Sequence, residues 1–385
     1  MSIDIIYTII FGIIFLIVVA VATGMVTVIE RRVAGRVQSR IGPNRVGFQG
    51  ILQWVADGLK AIQKEDIRTR DQNGALFRIA PYFVFGGMFA AWAAIPLGAT
   101  AIMADLNVGI FYIVAVTSLV VLGLILAGWS SNNKWSLLGG MRSAAQLISY
   151  EIPSGLVIFI IVMLAGSLSM QDIVKGQGPD FKDWFIFRNP FTFAAAIVFF
   201  TASLAEGNRV PFDIPEAESE LVSGYNTEYS GMRFIFFFFA EYANLYIMGA
   251  LMSVLFLGGW NFWWQWEVSI PLPGKTFSFE VLGFLWLMFK IMIIVFLVIM
   301  LRWTLPRLRV DQLMSICWKY LVPITIVCSL GVMFWMYFFL DGSRADVITR
   351  YVMSGFGALL LLLFAARVVV NLIVMKAKIH ANPFI

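Results

Sequence analysis

The sequence contains few residues of the kinds that hold redox cofactors or nucleotides. Only two cysteines, Cys317 and Cys328, and one histidine, His380, occur among 385 residues. An iron–sulfur cluster requires about four thiolates and haem requires a strong axial ligand, so we expect this chain to bind neither, and no metal site is expected. A glycine-rich phosphate-binding motif is also missing, which argues against flavin or nucleotide chemistry. If the chain takes part in a redox reaction, the electrons must arrive from a partner.

Charged residues are also scarce. They make up 13% of the chain, whereas 60% is hydrophobic and the mean hydropathy is +0.84. This composition excludes a water-soluble domain. The net charge of +5 is concentrated in particular loops, so we expect no nucleic-acid binding. The sequence predicts an all-α polytopic membrane protein, with residues 1–385 forming a single membrane domain.

Apolar runs of about 20 residues are long enough to cross a ~30 Å hydrocarbon core as helices. The sequence predicts nine such spans, at 3–29, 75–99, 107–129, 144–168, 191–206, 232–258, 280–301, 319–340 and 347–375. Twenty of the 28 Lys and Arg residues lie in the odd-numbered loops and the C-terminal tail, and six lie in the even-numbered loops. The positive-inside rule therefore predicts an external N-terminus and a cytoplasmic C-terminus.

The first inner loop, residues 30–74, contains an amphipathic pattern over residues 48–64. Apolar residues repeat there at helical spacing, at Phe48, Ile51, Leu52, Val55, Leu59 and Ile62. Such a pattern predicts an interfacial helix that lies along the membrane surface. Two interpretations stay open: a surface anchor, or a lateral gate that admits an amphiphile from the bilayer.

The inner loop at 206–231 is strongly acidic. A solvated loop is the ordinary interpretation of such a run, but Pro211, Phe212 and Pro215 interrupt it. Carboxylates crowded beside hydrocarbon would repel each other, which would raise some of their pKa values. We therefore favour the lining of a buried polar chamber. The six acids, set against the single base Arg209, are Glu206, Asp213, Glu216, Glu218, Glu220 and Glu228.

Ionisable residues also occur inside the predicted spans, where they are costly and usually functional. Glu151 lies beside a helix-distorting proline, Pro153, and Glu241 lies within the sixth span. A buried, neutral Glu151 is one interpretation, and a relay of carboxylates with Glu206 and Glu241 is the one we favour. Lys290 is a candidate positive partner for these acids, whereas Arg367 is expected to snorkel or to pair structurally. The basic loop 302–319 fits either anionic lipid or a peripheral protein.

Several motifs together resemble a known family. These motifs are Glu30-Arg31-Arg32, Gly42-Pro43-Asn44, Ser149-Tyr150-Glu151-Ile152-Pro153, Asn208-Arg209, Pro211-Phe212-Asp213, Ala240-Glu241-Tyr242, Pro306-Arg307 and Asp311-Gln312-Leu313-Met314. They resemble, in the same order, the inner loops of the quinone-site membrane subunit of respiratory complex I. In bacterial NADH-quinone oxidoreductase this is the H subunit, and in the mitochondrial NADH dehydrogenase it is subunit 1.

The resemblance implies a subunit of a proton-translocating NADH:quinone oxidoreductase, without a complete active site of its own. A quinone, ubiquinone or menaquinone, would be the substrate. The resemblance places Arg31, Arg40, Asp57 and Arg302 along the quinone path. It assigns a proton relay to Glu151, Glu206, Asp213, Glu216, Glu218, Glu220, Glu228 and Glu241, with Arg209 as the local counter-charge.

The implied partners are peripheral-arm iron–sulfur and quinone-site subunits, small membrane subunits, antiporter-like pump subunits and membrane lipids, most simply in a bacterial inner membrane. The sequence departs from the family in two places. Trp54 stands where the family often has proline, and the family commonly has eight spans, so helix 347–375 would be an extra one. Two alternatives stay open: the equivalent subunit of a membrane-bound hydrogenase or related dehydrogenase, and a proton-coupled secondary transporter.

Overall fold

The computed structural model describes residues 2–99, 101–215, 218–264, 266–272, 275–339 and 344–381, which are mainly helical. The longer helices are α1 (Ser2–Val37), α2 (Gln53–Gln63), α3 (Gly74–Ala91), α4 (Gly109–Ser130), α5 (Lys134–Ala165), α7 (Pro190–Glu206), α9 (Gly231–Phe256), α10 (Val281–Thr304), α12 (Val322–Phe338) and α13 (Arg344–Ala381). Three short helices are α6 (Met170–Lys175), α8 (Glu218–Leu221) and α11 (Val310–Ser315).

Within the described residues, six helical segments have the length and apolar composition needed to cross a membrane. They are Gly74–Ala94, Gly109–Ser130, Lys134–Ala165, Gly231–Phe256, Val281–Thr304 and Val310–Phe338, and the shorter apolar helix Pro190–Glu206 adds a seventh candidate. Helices α1 and α13 contain 36 and 38 residues. The prediction of an all-α polytopic membrane protein is confirmed, while the count of nine spans stays a prediction.

Local signals explain where several helices begin and end. Asn189 caps α7, because its side chain accepts a hydrogen bond from the Thr192 amide (2.8 Å), and Pro190 then occupies the first helical position. Helix α5 begins at Lys134, ten residues before its predicted start at 144, because the side chain of Asn133 accepts from the Trp135 amide (2.9 Å). The same helix ends where Gly166 adopts a left-handed conformation with φ 67°.

Helix α9 lies at the centre of the bundle. Helices α1, α2, α3, α7 and α10 all pack against it. Most of its residues from Ala240 to Phe256 are buried, which is why hydrophobic residues occur all round this helix rather than on one stripe. Most side chains in this part of α9 therefore face the protein interior and not lipid.

Helix α2 follows a 3-10 turn at Phe48–Gly50 and packs against α1 and α9. Its side chain Trp54 lies directly over Gly24 of α1: a Cβ atom at Gly24 would lie 2.6 Å from the Trp54 ring. Only glycine leaves room for the indole at this point. The residue that departs from the family pattern is thus part of the contact between α1 and α2.

A two-stranded antiparallel hairpin, β1 (Glu267–Leu272) and β2 (Lys275–Glu280), precedes α10. The sequence did not indicate it. The hairpin pairs Glu267 with Glu280 across the strands. It lies between the end of α9 and the start of α10.

Candidate functional site

A buried arginine lies at the centre of the charged residues. Arg209 is only 1% exposed. Its Nε lies 3.2 Å from Glu241 Oε1 and its Nη1 lies 3.5 Å from Glu30 Oε2. The Tyr242 ring centroid is 4.3 Å from the guanidinium carbon. Arg302 pairs with the other oxygen of Glu30, so two arginines and two carboxylates form one connected network.

The charge state of Arg209 follows from these neighbours. Burial disfavours the charged guanidinium, but the carboxylates of Glu241 and Glu30 and the side chain of Tyr242 favour it and raise the pKa of Arg209 above its usual range. The three nitrogen atoms of Arg209 make no well-directed hydrogen bond to the residues that the structure describes. The contacts are therefore mainly electrostatic, and we describe them as ion pairs.

Helix α5 and the turn after α7 fix the position of Arg209. Asn208 adopts a positive φ of 48°, and the Arg209 amide donates to Leu204 O at 3.2 Å. Gln146 of α5 holds this turn, since its Nε2 donates to Ala205 O (2.7 Å) and to Phe212 O (2.8 Å). The arginine is consequently directed inward, towards α9 and α1.

The predicted carboxylates Glu151 and Glu206 lie beside cavities whose mainly apolar walls carry a few polar groups. Ser154 Oγ donates to Glu206 Oε1 at 2.6 Å, and Ser118 Oγ donates to Glu151 Oε1 at 3.2 Å. A cavity of about 50 Å³ is lined by both carboxylates, and a neighbouring one of about 30 Å³ is lined by Glu206 and Glu241. Each is large enough for water, and polar groups line both. Glu206 therefore contacts two water-sized spaces that lie between Glu151 and Glu241.

The carboxylates of the acidic loop are paired separately. Asp213 contacts Arg307 at 3.1 Å, and Glu220 contacts Arg142 at 2.6 Å. Glu228 accepts from Asn133 Nδ2 at 2.6 Å. The expectation that these acids crowd and repel each other is wrong for these three, because each is directed to a different helix or loop. Glu216 lies outside the described residues, and the side chain of Glu218 is not described.

The residues predicted along a quinone path lie in three separate places. Arg31 Nη1 lies 2.5 Å from Asp57 Oδ2, which joins α1 to α2, and Gln53 Nε2 donates to Asp57 Oδ1 at 3.0 Å. Arg302 belongs instead to the Arg209 network through Glu30. Arg40 lies apart, in the exposed turn after α1, where its Nε donates to Gln38 Oε1 at 2.7 Å.

Glu30 is the site residue that sequence reasoning missed. It lies beside Arg31 on α1 and is only 4% exposed, and it contacts both Arg209 and Arg302. Its position near the end of a predicted apolar span, next to two arginines, was the available signal. Glu30 thereby joins Arg209 to Arg302, and it is adjacent in sequence to Arg31 of the Arg31–Asp57 pair.

The expectation that Lys290 pairs with the buried carboxylates is wrong. Its Nζ donates to Leu257 O (2.5 Å) and Gly259 O (3.0 Å), beyond the C-terminal end of α9. The ring centroids of Trp184 and Trp286 lie 4.5 and 5.0 Å from the same nitrogen. Because helix C-termini attract positive charge, Lys290 caps α9 at the end far from Arg209. Arg367 is exposed on α13.

A helical bundle with several helices long and apolar enough to cross a membrane, and with an arginine buried among carboxylates, defines a class: integral membrane proteins with ionisable residues in their interior. Comparison with known sequences identifies the family. The NADH dehydrogenase family profile matches residues 9–334. A protein of Anaeromyxobacter dehalogenans, named as the H subunit of NADH-quinone oxidoreductase, is 51% identical over 80% of this chain and 76% of its own length. The H subunit of Chlorobaculum tepidum is 48% identical over 80% of this chain and 86% of its own length. The H subunit of Brevibacillus brevis is 48% identical over 77% of this chain and 83% of its own length.

The chain belongs to the NADH dehydrogenase family, and these relatives all carry the name of the H subunit of NADH-quinone oxidoreductase. The resemblance read from the inner-loop motifs is confirmed. The expectation that the chain is a subunit of an NADH-quinone oxidoreductase is likewise confirmed. The chain is an integral membrane protein.

Proposed function

We propose that this chain walls a quinone chamber together with peripheral-arm subunits and converts quinone reduction into proton movement through its buried carboxylates. The quinone, ubiquinone or menaquinone, enters past α2 and reaches the inner face near Arg31 and Asp57. An iron–sulfur cluster of a partner subunit supplies the electrons. This chain contributes binding surface and charge, not the redox centre.

The observation that carries the proposal is a series of charged and polar groups across the bundle, joined by ion pairs, a hydrogen bond and two shared cavities. The Arg31–Asp57 pair lies next to Glu30 in sequence, and Glu30 contacts Arg302 and Arg209. Arg209 in turn contacts Glu241, which lines the smaller cavity. From there the contacts continue through Glu206 and Ser154 to Glu151, as described above.

Negative charge on the quinone would change the pKa values of the carboxylates in this series. Reduction of a quinone places negative charge beside Arg31 and Arg302. At an effective dielectric of ~20, a unit charge at ~4 Å is worth ~4 kcal/mol, which corresponds to a change of about three in a neighbouring pKa. Arg302 and Arg209 both pair with Glu30, and Arg209 also pairs with Glu241. New negative charge on the quinone therefore changes how strongly these arginines attract Glu241. Protons then move between Glu241, Glu206 and Glu151, towards the pump subunits.

The acidic loop takes part at the inner face. Asp213 contacts Arg307, and Glu220 contacts Arg142, so both acids hold loops that would face the peripheral arm. We assign a role in the proton relay to Asp213 and Glu220 and also to Glu216, Glu218 and Glu228. We place Arg40 at the entrance of the quinone chamber. The proposed setting is a bacterial inner membrane, with the N-terminus outside and the C-terminus in the cytoplasm, in keeping with the positive-inside rule.

Helix α13 is proposed to be the extra, peripheral helix. Its first turns contact the loop before α7, where Lys182 Nζ lies 3.4 Å from Tyr351 Oη. These contacts lie at the end of the bundle opposite the acidic loop. The helix adds surface to the bundle, and none of its described side chains contacts the buried network.

The test is Glu206→Gln in the whole complex, reconstituted in vesicles. Glutamine keeps the hydrogen bond from Ser154 but cannot titrate, so quinone reduction should continue with far fewer protons moved per quinone. Glu267→Gln, an exposed acid of the hairpin, is the matched control and should behave as the parent. Unchanged proton yield in Glu206→Gln would reject the proposal.

The same preparation separates the alternatives. A hydrogenase-type subunit would not be protected or bound by an inhibitor that competes with quinone. A secondary transporter would take up solute as the isolated chain. Binding of such an inhibitor to the complex, without solute uptake by the chain, is the expected outcome.

A further inference from the structure

Helix α5 contains an irregularity next to Glu151. Pro153 has no amide hydrogen, so the carbonyl of Ser149, four residues earlier, loses its usual helical donor. In the structure, the thiol of Cys317 donates to this carbonyl, with 3.0 Å between Sγ and O. Cys317 is fully buried. A side chain from another helix therefore replaces the backbone donor that proline removed.

Cys317 lies in an irregular segment of its own. Residues Ile316–Leu321 form a π-helical turn between α11 and α12, and Pro323 follows in the first turn of α12. Such turns are rare and occur often at functional sites. One residue along α5 from Ser149, the Tyr150 hydroxyl donates to Leu313 O at 3.0 Å. Two consecutive residues of α5 are thus bonded to one short stretch of chain.

That stretch also reaches the acidic loop. The Leu308 amide donates to Pro211 O at 3.0 Å, just before α11 begins, and Arg307 pairs with Asp213. Residues 307–321 therefore contact the acidic loop at one end and the kink of α5 at the other.

Two groups of the relay lie close to the Pro153 interruption of α5. Glu151 and Ser154 follow Ser149 within about one and a half turns of α5. Ser154 donates to Glu206, and Glu151 lines the cavity that Glu206 also lines. A change in the bend or rotation of α5 at this point would separate these groups.

We propose that the hydrogen bond from Cys317 to Ser149 O holds the Pro153 kink of α5 in the arrangement in which Glu151 and Ser154 face Glu206. Cys317 is thus a positioning residue: it acts through α5 and touches no proton carrier itself. The inference rests on the proposed function, because it concerns the alignment of the proposed relay.

The test compares Cys317→Ala, which removes the donor, with Cys317→Ser, which restores one. A net hydrogen bond of this kind corresponds to roughly a twofold to fivefold shift between aligned and misaligned arrangements. We expect Cys317→Ala to lower the protons moved per quinone reduced, by at most about that factor, at unchanged quinone turnover, and Cys317→Ser to restore the yield. Cys328→Ala removes the other buried thiol and should match the parent.

Two results would overturn the inference: a parental proton yield in Cys317→Ala, or an equal loss in Cys317→Ser, which would indicate packing alone. If Cys317→Ala does not assemble, the infrared S–H stretching band of Cys317 tests the hydrogen bond instead. This band is assigned as the one that Cys317→Ser removes. A band at lower frequency than that of Cys328 supports the hydrogen bond, and a band at the same frequency rejects it.

Glu151→Gln separates this inference from the proposed function. A parental proton yield in Glu151→Gln counts against the relay itself. Loss in Glu151→Gln with no loss in Cys317→Ala counts against the positioning role only.

Discussion

Arg209 and Glu241 lie 3.2 Å apart in the interior of the bundle, and each comes from a different part of the chain. Arg209 follows α7 in a turn that Gln146 holds, whereas Glu241 lies in the first half of α9. A buried ion pair of this kind contributes little net stability, but it is costly to break because one charge is then left unpaired. The pair is better explained by function than by folding.

Replacing Arg209 with methionine should therefore destabilise the assembled protein. Removal of one partner from a buried pair costs about 3–5 kcal/mol, since Glu241 loses its ion-pair partner while Glu30 retains only Arg302. Thermal unfolding of the purified complex measures the loss. The double variant Arg209→Met/Glu241→Gln should recover part of the lost stability. If its loss of stability equals the sum of the losses in the two single variants, the two residues are not coupled.

Replacing Asp57 with asparagine should weaken quinone use with little effect on folding. Arg31 and Asp57 are each about a third exposed or more, with 42% and 30% of their side chains accessible, and exposed pairs contribute little to stability. We expect the KM for quinone to rise by roughly tenfold, equivalent to about 1.4 kcal/mol of binding, while the melting temperature stays within a degree or two. Glu65→Gln in the same inner loop is the control. An unaltered KM in Asp57→Asn would remove this pair from the quinone path.

Replacing Gly24 with alanine should displace Trp54, because the new Cβ would lie 2.6 Å from the indole. If quinone enters between α1 and α2, the kcat/KM for a long-tailed quinone should change more than the kcat/KM for a short-tailed one. The ratio of the two kcat/KM values is the measurement. Gly58→Ala in α2, where no described atom lies within 4 Å, is the matched control, and Trp54→Ala should rescue Gly24→Ala. A rescue that fails would mean that the indole is not the obstacle.

Replacing Gly139 with alanine should disturb the acidic loop. The new Cβ would meet backbone, 2.7 Å from the Gly224 Cα, and backbone cannot move aside as a side chain can. Overpacking of this kind costs about 1–3 kcal/mol, which thermal unfolding detects. Gly155→Ala in the same helix meets none of the described atoms within 4 Å and should be neutral or slightly stabilising. Equal stability of the two variants would contradict the close approach of α5 to the loop.

The sequence alone determined that this is a helical membrane protein, where most of its long helices lie, and to which family it belongs. Those features depend on composition, on apolar runs of a length that matches the bilayer, and on contiguous motifs. These features can be predicted without knowing which helices are neighbours. The start of α5 and the hairpin before α10 were not anticipated, because capping and strand pairing depend on a few local contacts.

The tertiary structure decided which charges meet. Glu30 and Arg209 are far apart in sequence, and only the packing of α1, α7 and α9 brings them together. The same packing directs Lys290 to the end of α9 and gives Asp213, Glu220 and Glu228 separate partners. Interactions between charges depend on distances of a few ångströms and on exclusion from water, and neither quantity can be read from the order of residues along the chain.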